Sequence, residues 1–136
     1  MIRKGSYILI LDMPETRIKV GALGLLDFKE GTYCYVGSAM NGLDQRIGRH
    51  LSKNKKIRWH IDFLTIECST IEAYESESPE ITECGLGDIV INNGGIPVFK
   101  GFGCSDCGCG THLFLLPESA REKLLSVPFL KKYPCL

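Results

Sequence analysis

No stretch of the chain approaches the roughly 18 consecutive apolar residues that a membrane-spanning helix requires. The nearest thing to a leader, MIRKGSYILILDMPETR, sets only the short run YILIL behind its basic residues, and charge follows at once. The chain is therefore read as soluble and cytoplasmic, with no membrane partner. Net charge is also absent. Lys and Arg number 16 and Asp and Glu 16, which argues against a strong, indiscriminate nucleic-acid binder. There is no internal repeat and no low-complexity linker. The 136 residues, 44% of them hydrophobic, are expected to form one domain, 1–136, with a core of ordinary size.

The zero average hides a segregation. Between residues 46 and 58 lie Arg46, Arg49, Lys53, Lys55, Lys56 and Arg58, with His50 among them and no acid. Between residues 67 and 88 lie Glu67, Glu72, Glu75, Glu77, Glu80, Glu83 and Asp88, with no base. Two solvated faces that balance each other would explain this; so would a basic stretch that meets phosphates. Cysteine is plentiful: the seven have irregular spacing and no secretory context, so they read as reduced thiols, metal ligands or core fillers rather than a disulfide framework.

The apolar run in KGSYILILDM predicts a strand over residues 6–11 that stops before Pro14. Further strands over 17–23 and 32–37 are expected to pair as hairpins, with the Lys29-Glu30-Gly31 turn between them. After Ser38 the period changes. Leu43, Ile47, His50 and Leu51 fall at helical spacing, with Asn41 or Ser38 as the cap, and the helix should end near SKNKK. IRWHIDFLTI fits a short helix or a strand, with helix favoured, and STIEAYES reads as an exposed strand. Ser78-Pro79-Glu80 reads as the start of a helix that runs to about Asn92. Strands through Val98 and through His112 to Leu116, then a helix from Pro117, complete an α+β fold: a small mixed, mainly antiparallel sheet flanked by helices.

Residues 31–50, GTYCYVGSAMNGLDQRIGRH, run from a strand end straight into a helix. Alternation puts Tyr33 and Tyr35 on one face of the strand, Gly37 permits a close turn, and Arg46 and His50, four apart, share a helix face. A phenol, a guanidinium and an imidazole could converge there. Phosphodiester cleavage needs such parts: a group that orients or deprotonates water, a cation for the developing charge, and a carboxylate for a divalent metal. Glu83, three and seven residues before Leu86 and Val90, lies beside the face expected to be buried and is the candidate carboxylate. Ordinary roles are open for each: a strand tyrosine in the core, a surface Arg and His pair, a glutamate favouring a helix dipole.

YCYVGSAMNGLDQRIGRHL resembles the second motif of the GIY-YIG nuclease superfamily, with Tyr35-Val36-Gly37 in place of YIG and Gly5-Ser6-Tyr7 in place of GIY. WHIDFL at 59–64, ECGL at 83–86 and GFGCSDCGCGTHLF at 101–114 resemble its Uri-type (DUF123) branch, so that the resemblance covers nearly the whole chain. That branch is archaeal and bacterial and also occurs fused to endonuclease III. The resemblance implies a GIY-YIG-like fold and a metal-dependent endonuclease linked to DNA repair, cutting nucleic acid, DNA in the first place, to leave a 5′-phosphate and a 3′-hydroxyl. It makes Tyr7 and Tyr35 the phenols that position or activate water, Arg46 the transition-state cation, His50 a further member of the site, and Glu83 the single ligand of Mg²⁺ or Mn²⁺. Arg49, Lys53, Lys55, Lys56 and Arg58 become the phosphate-binding stretch, suited to a structure-selective or damage-linked substrate rather than a sequence-specific one. Two departures stand out: the first motif is GSY, and Tyr7 and Tyr35 lie 28 residues apart where a short hairpin is usual. An extra strand between them would account for the spacing. A noncatalytic nucleic-acid-binding or protein-interaction module that keeps the fold is the alternative.

Cys104, Cys107, Cys109 and His112 form a second cluster, with Cys107, Cys109 and His112 the set that matches the branch. Zinc ligation, reduced thiols packing a Gly-rich loop, and a redox-labile or substrate-contacting loop are all open. His60 and Asp62 are read as a buried pair, as support for Arg46, or as a nucleic-acid contact.

Overall fold

The apolar run that begins the chain becomes the strand on which the rest is assembled. In the computed structural model, which describes residues 3–103 and 110–133, β1 (Gly5–Met13) pairs with β4 (Gly31–Ala39) on one side and β5 (Thr70–Ser76) on the other. The full six-stranded order is β6-β7-β4-β1-β5-β8, with β6 at Ile96–Pro97, β7 at Leu113–Leu115 and β8 at Lys131–Lys132. Every pairing is antiparallel.

Because side chains alternate across a strand, a strand paired on both edges can feed two cores. Tyr7, Leu9, Leu11 and Met13 enter the core that also takes Tyr35 and the buried residues of α1 (Leu43–Leu51) and α2 (His60–Glu67). Ile8 and Ile10 enter the opposite core, with Val36 and the buried residues of α3 (Glu83–Asn92) and α4 (Glu118–Leu125). The sheet is thus the middle of three layers. No helix among the described residues is long and apolar enough to cross a membrane.

The differences from the expected elements have local causes. β1 does not pair with the next strand. β2 (Thr16–Lys19) and β3 (Leu25–Phe28) form their own two-stranded ribbon, with a 3-10 turn at Gly21–Leu23 where the second strand was expected to continue. This insertion, not one extra strand, separates Tyr7 from Tyr35 in sequence while β1 and β4 remain neighbours. The N-cap of α1 is Gly42, φ 136°, with no side-chain cap from Asn41 or Ser38. α3 begins later than the Ser78-Pro79-Glu80 pattern suggests, because the Thr82 hydroxyl accepts the Gly85 N–H at 2.9 Å and takes the cap position. Glu83 is therefore the first residue of α3. β5, expected to be exposed, is covered by β1 on one edge and by β8 along part of the other.

Candidate active site

The register of β1 and β4 sets Tyr7 opposite Gly37 and Leu9 opposite Tyr35, so the two tyrosines sit diagonally on one face of the sheet. Gly37 is needed here for space. A Cβ at that position would stand 2.6 Å from Cζ and Oη of Tyr7, so the phenol lies directly against the backbone of β4. Gly37→Ala is expected to drive the Tyr7 ring from its position at a cost of about 1–3 kcal/mol, the usual range for overpacking a filled core. Denaturant unfolding checks this, and an unchanged midpoint would mean that the ring yields freely.

Helix α1 brings His50 behind that ring. The Tyr7 hydroxyl and His50 Nε2 share a hydrogen bond of 2.7 Å, and both residues are about 1% exposed. His50 Nδ1 has no hydrogen-bond partner among the described residues. The tautomer with its proton on Nε2 avoids an orphan N–H, so the imidazole donates to the phenol oxygen. Burial, reinforced by the nearby Lys55 charge, lowers the His50 pKa to about 3. Burial also pushes the Tyr7 phenol up to about 12, against the pull of the Arg46 charge beside it.

The buried neutral imidazole makes the fold acid-sensitive. Unfolded His titrates near 6.5 and folded His50 near 3, so below about pH 6.5 the unfolded chain binds the extra proton. Stability is full above that value and should fall by up to about 1.4 kcal/mol per pH unit as the pH drops toward the folded value. Unfolding measured from pH 7 to pH 4 checks the slope. His50→Asn, which cannot take the proton, should flatten it; an unchanged slope in that variant would assign it to other groups.

Arg46, one turn before His50 on α1, is half-buried and donates from Nη1 to the Ser38 carbonyl at 2.9 Å. Its Cζ lies 4.6 Å from the ring centroid of Trp59, the residue before α2. From the opposite side of the sheet, the first residue of α3 reaches the same place. Tyr7, Tyr35, Arg46, Trp59 and Glu83 line one open cleft of about 290 Å³. His50 does not line it and stands behind Tyr7. Glu83 keeps about a third of its side chain exposed, and its Oε2 lies 4.0 Å from His112 Nδ1.

Asp62 and His60 act separately. Asp62, fully buried, receives Arg49 Nη1 and Nη2 at 2.8 Å each and the peptide N–H groups of Arg58 and Trp59 at 2.8 and 3.0 Å, fastening the start of α2. His60 Nδ1 accepts the Gly103 N–H at 3.0 Å, holding that glycine where an added Cβ would stand 3.0 Å from the Tyr35 ring. Of the three readings offered for His60 and Asp62, the buried pair is replaced by these two contacts.

Of the basic side chains expected to meet phosphate, three have partners inside the fold. Arg49 holds Asp62. Lys53 Nζ donates to the carbonyls of Thr65 and Cys68 at 2.6 and 2.8 Å, and Lys55 Nζ to those of His50 and Arg49 at 2.9 and 3.1 Å. These lysines satisfy carbonyls at the C-terminal ends of α2 and α1, where a positive charge suits the helix dipole. Lys56 and Arg58 are exposed.

Sequence reasoning missed Trp59 and the Ser38 carbonyl. Trp59 carried a signal, a tryptophan at the end of a basic stretch; the carbonyl carried none. Among the described residues no group of three His, Cys, Asp or Glu could hold a metal ion, so Glu83 is a lone carboxylate in its cleft. Cys104, Cys107 and Cys109 of the candidate zinc set lie outside the described residues. His112 is buried at the approach to β7, with Nε2 3.9 Å from Cys84 Sγ. Cys34 and Cys68 are free and buried, as reduced thiols or core fillers would be, while Cys84 is disulfide-bonded, a state outside the three roles expected of the cysteines.

No curated protein and no solved structure matches the chain. A family model described as a domain of unknown function, DUF123, matches residues 6–132. That span takes in every residue that lines the cleft together with the strands and helices that carry them, and the chain belongs to the DUF123 family.

Proposed function

We propose that this chain is a GIY-YIG endonuclease of the Uri type, which hydrolyses phosphodiester bonds of nucleic acid, DNA in the first place, with a divalent metal. The observation that carries the reading is the meeting of Tyr7, Tyr35, Arg46 and Glu83, from four separate elements, in one open cleft. Resemblance of sequence supplies these residues one by one; a shared cleft is an independent geometric requirement, and they meet it.

In this reading Arg46 stabilises the negative charge that grows on the phosphate oxygens. One guanidinium nitrogen is fixed on the Ser38 carbonyl, and the remaining N–H donors suit a planar oxyanion fork. Tyr7 and Tyr35 orient the attacking water with their hydroxyls. Water adds to phosphorus, the bond to the 3′ oxygen breaks, and a 5′-phosphate and a 3′-hydroxyl result. Glu83 offers a hard, partly exposed carboxylate with no cage of further ligands among the described residues, which fits Mg²⁺ or Mn²⁺, ions that are held by one or two carboxylates and keep several waters. Bound there, the ion supplies Lewis-acid neutralisation of phosphate charge. Lys56 and Arg58, exposed beside Trp59 in the chain, are the basic residues of the original set best placed to track the backbone.

The internal partners of Arg49, Lys53 and Lys55 and a net charge of zero leave less charge for phosphate and favour a second reading, a weak nucleic-acid-binding or protein-interaction module whose cleft is idle. A panel of single-stranded, duplex and branched DNA and RNA, incubated with Mg²⁺ or Mn²⁺, separates the two. Cleavage abolished by chelator and by Glu83→Gln is the expected result. Binding without cleavage on every substrate would leave the module reading in place.

A further inference from the structure

Trp59, the single tryptophan of the chain, carries two guanidinium groups, with Arg46 Cζ 4.6 Å and Arg49 Cζ 4.4 Å from its ring centroid. The two cations are held differently. Arg49 is neutralised by Asp62 in a bidentate pair, and the same carboxylate accepts the Trp59 peptide N–H. Arg46 makes no ion pair with a carboxylate among the described residues; its contacts include the Ser38 carbonyl, the indole face and the Tyr7 hydroxyl, none of which carries a negative charge.

The distinction has a chemical meaning. A carboxylate would hold the Arg46 guanidinium rigidly but would cancel the charge it presents to the cleft. An aromatic face holds a cation through its quadrupole and leaves the charge intact. Trp59 is itself fixed by a chain of contacts running from fully buried Asp62 through the Trp59 peptide N–H and through Arg49 to the ring. The geometry points to Trp59 as the positioning residue for Arg46: it fixes the guanidinium at the cleft without discharging it. This inference rests on the nuclease reading above for its effect on rate, and on the contact itself for its effect on Arg46.

The test is a double-mutant cycle on the full chain with a cleavable DNA substrate and Mg²⁺. Trp59→Leu should lower kcat by about 10- to 100-fold, the range expected when a transition-state contact loses its orientation, and change KM far less. Trp59→Phe, which keeps a weaker aromatic face, should recover part of the loss. It also serves as the working variant if the leucine protein fails to fold. In an Arg46→Ala background the Trp59 substitutions should cost kcat nothing further, because a positioning residue has nothing left to position. Equal losses in both backgrounds would overturn the proposal.

A second readout separates failure of the proposal from failure of the nuclease reading. In ¹⁵N-arginine spectra the Arg46 Nε–H should be shifted by the indole ring current and rigid on the ps–ns timescale, and Trp59→Leu should abolish both. If the wild type cleaves nothing, the nuclease reading falls, and this measurement alone decides Trp59. Loss of shift and order upholds its positioning role, and an equally rigid Arg46 in the variant overturns it.

Discussion

Asp62→Ala is expected to cost the fold about 3–5 kcal/mol, the range for breaking a buried ion pair by removing one partner. Asp62 is fully buried and answers four donors, two from Arg49 and two peptide N–H groups at the start of α2. Alanine leaves both N–H groups and a half-buried guanidinium without their acceptor. The melting temperature should fall by roughly 10 °C or more at this chain length. A loss under about 1 kcal/mol would show that water replaces the carboxylate without penalty, sinking the idea that this pair fastens α2. The deficit should depend on pH in a definite direction. Burial would raise the carboxyl, but Arg49 and the two peptide N–H groups outweigh it and hold Asp62 below the usual carboxylate range. Its contribution is therefore full above the unfolded value near 4 and lost as the pH falls through the folded one, so variant and wild type should converge in acid.

The role of Asp62 was only partly legible in the sequence. Helix α1 could be read because Leu43, Ile47 and His50 repeat at helical spacing, and all three are buried. The same pattern announces that His50 points inward, and the structure takes this further, placing it behind Tyr7 rather than in the cleft. Lys53 and Lys55 could not be read. Their acceptors are main-chain carbonyls at helix ends, which every sequence possesses and none advertises, so a basic run looks the same whether it faces phosphate or caps a helix. The ribbon β2-β3 was misread for a related reason. Residues 17–23 carry strand propensity, but pairing partners depend on register with distant strands, and β1 finds β4 and β5 instead. Glu83 was a candidate from its place beside the buried face of its helix, and the resemblance gave it a role. Nothing local to ECGL says that the first residue of a helix on one side of the sheet will reach a cleft whose tyrosines belong to the other.

Arg46→Lys and Glu83→Gln are the substitutions expected to affect cleavage most, each by about 10²–10³-fold or more in kcat, the loss typical of removing a transition-state charge contact. Lysine keeps the charge of Arg46 but gathers its three donors on one tetrahedral nitrogen, so it offers phosphate no planar fork while it holds the Ser38 carbonyl, nor can it lie as a plane on Trp59. Glutamine keeps the shape of Glu83 and removes its charge, and with about a third of that side chain exposed the change in stability should stay within about 0.5 kcal/mol. Activity lost at unchanged stability is therefore the expected pair of readings, and full activity in Arg46→Lys would remove Arg46 from the role given to it. The pH profile tests Tyr7 by the same reasoning. With its phenol pushed up to about 12, only a phenolate fraction of about 10⁻⁵ exists at pH 7, and a Tyr7 that takes the proton of water should give a rate rising about tenfold per pH unit. His50, with its pKa lowered to about 3, stays neutral and adds no inflection between pH 5 and 8. Tyr7→Phe should abolish the rise. A bell-shaped profile with a break near the ordinary imidazole value would instead place the proton on a histidine and take the base role away from Tyr7.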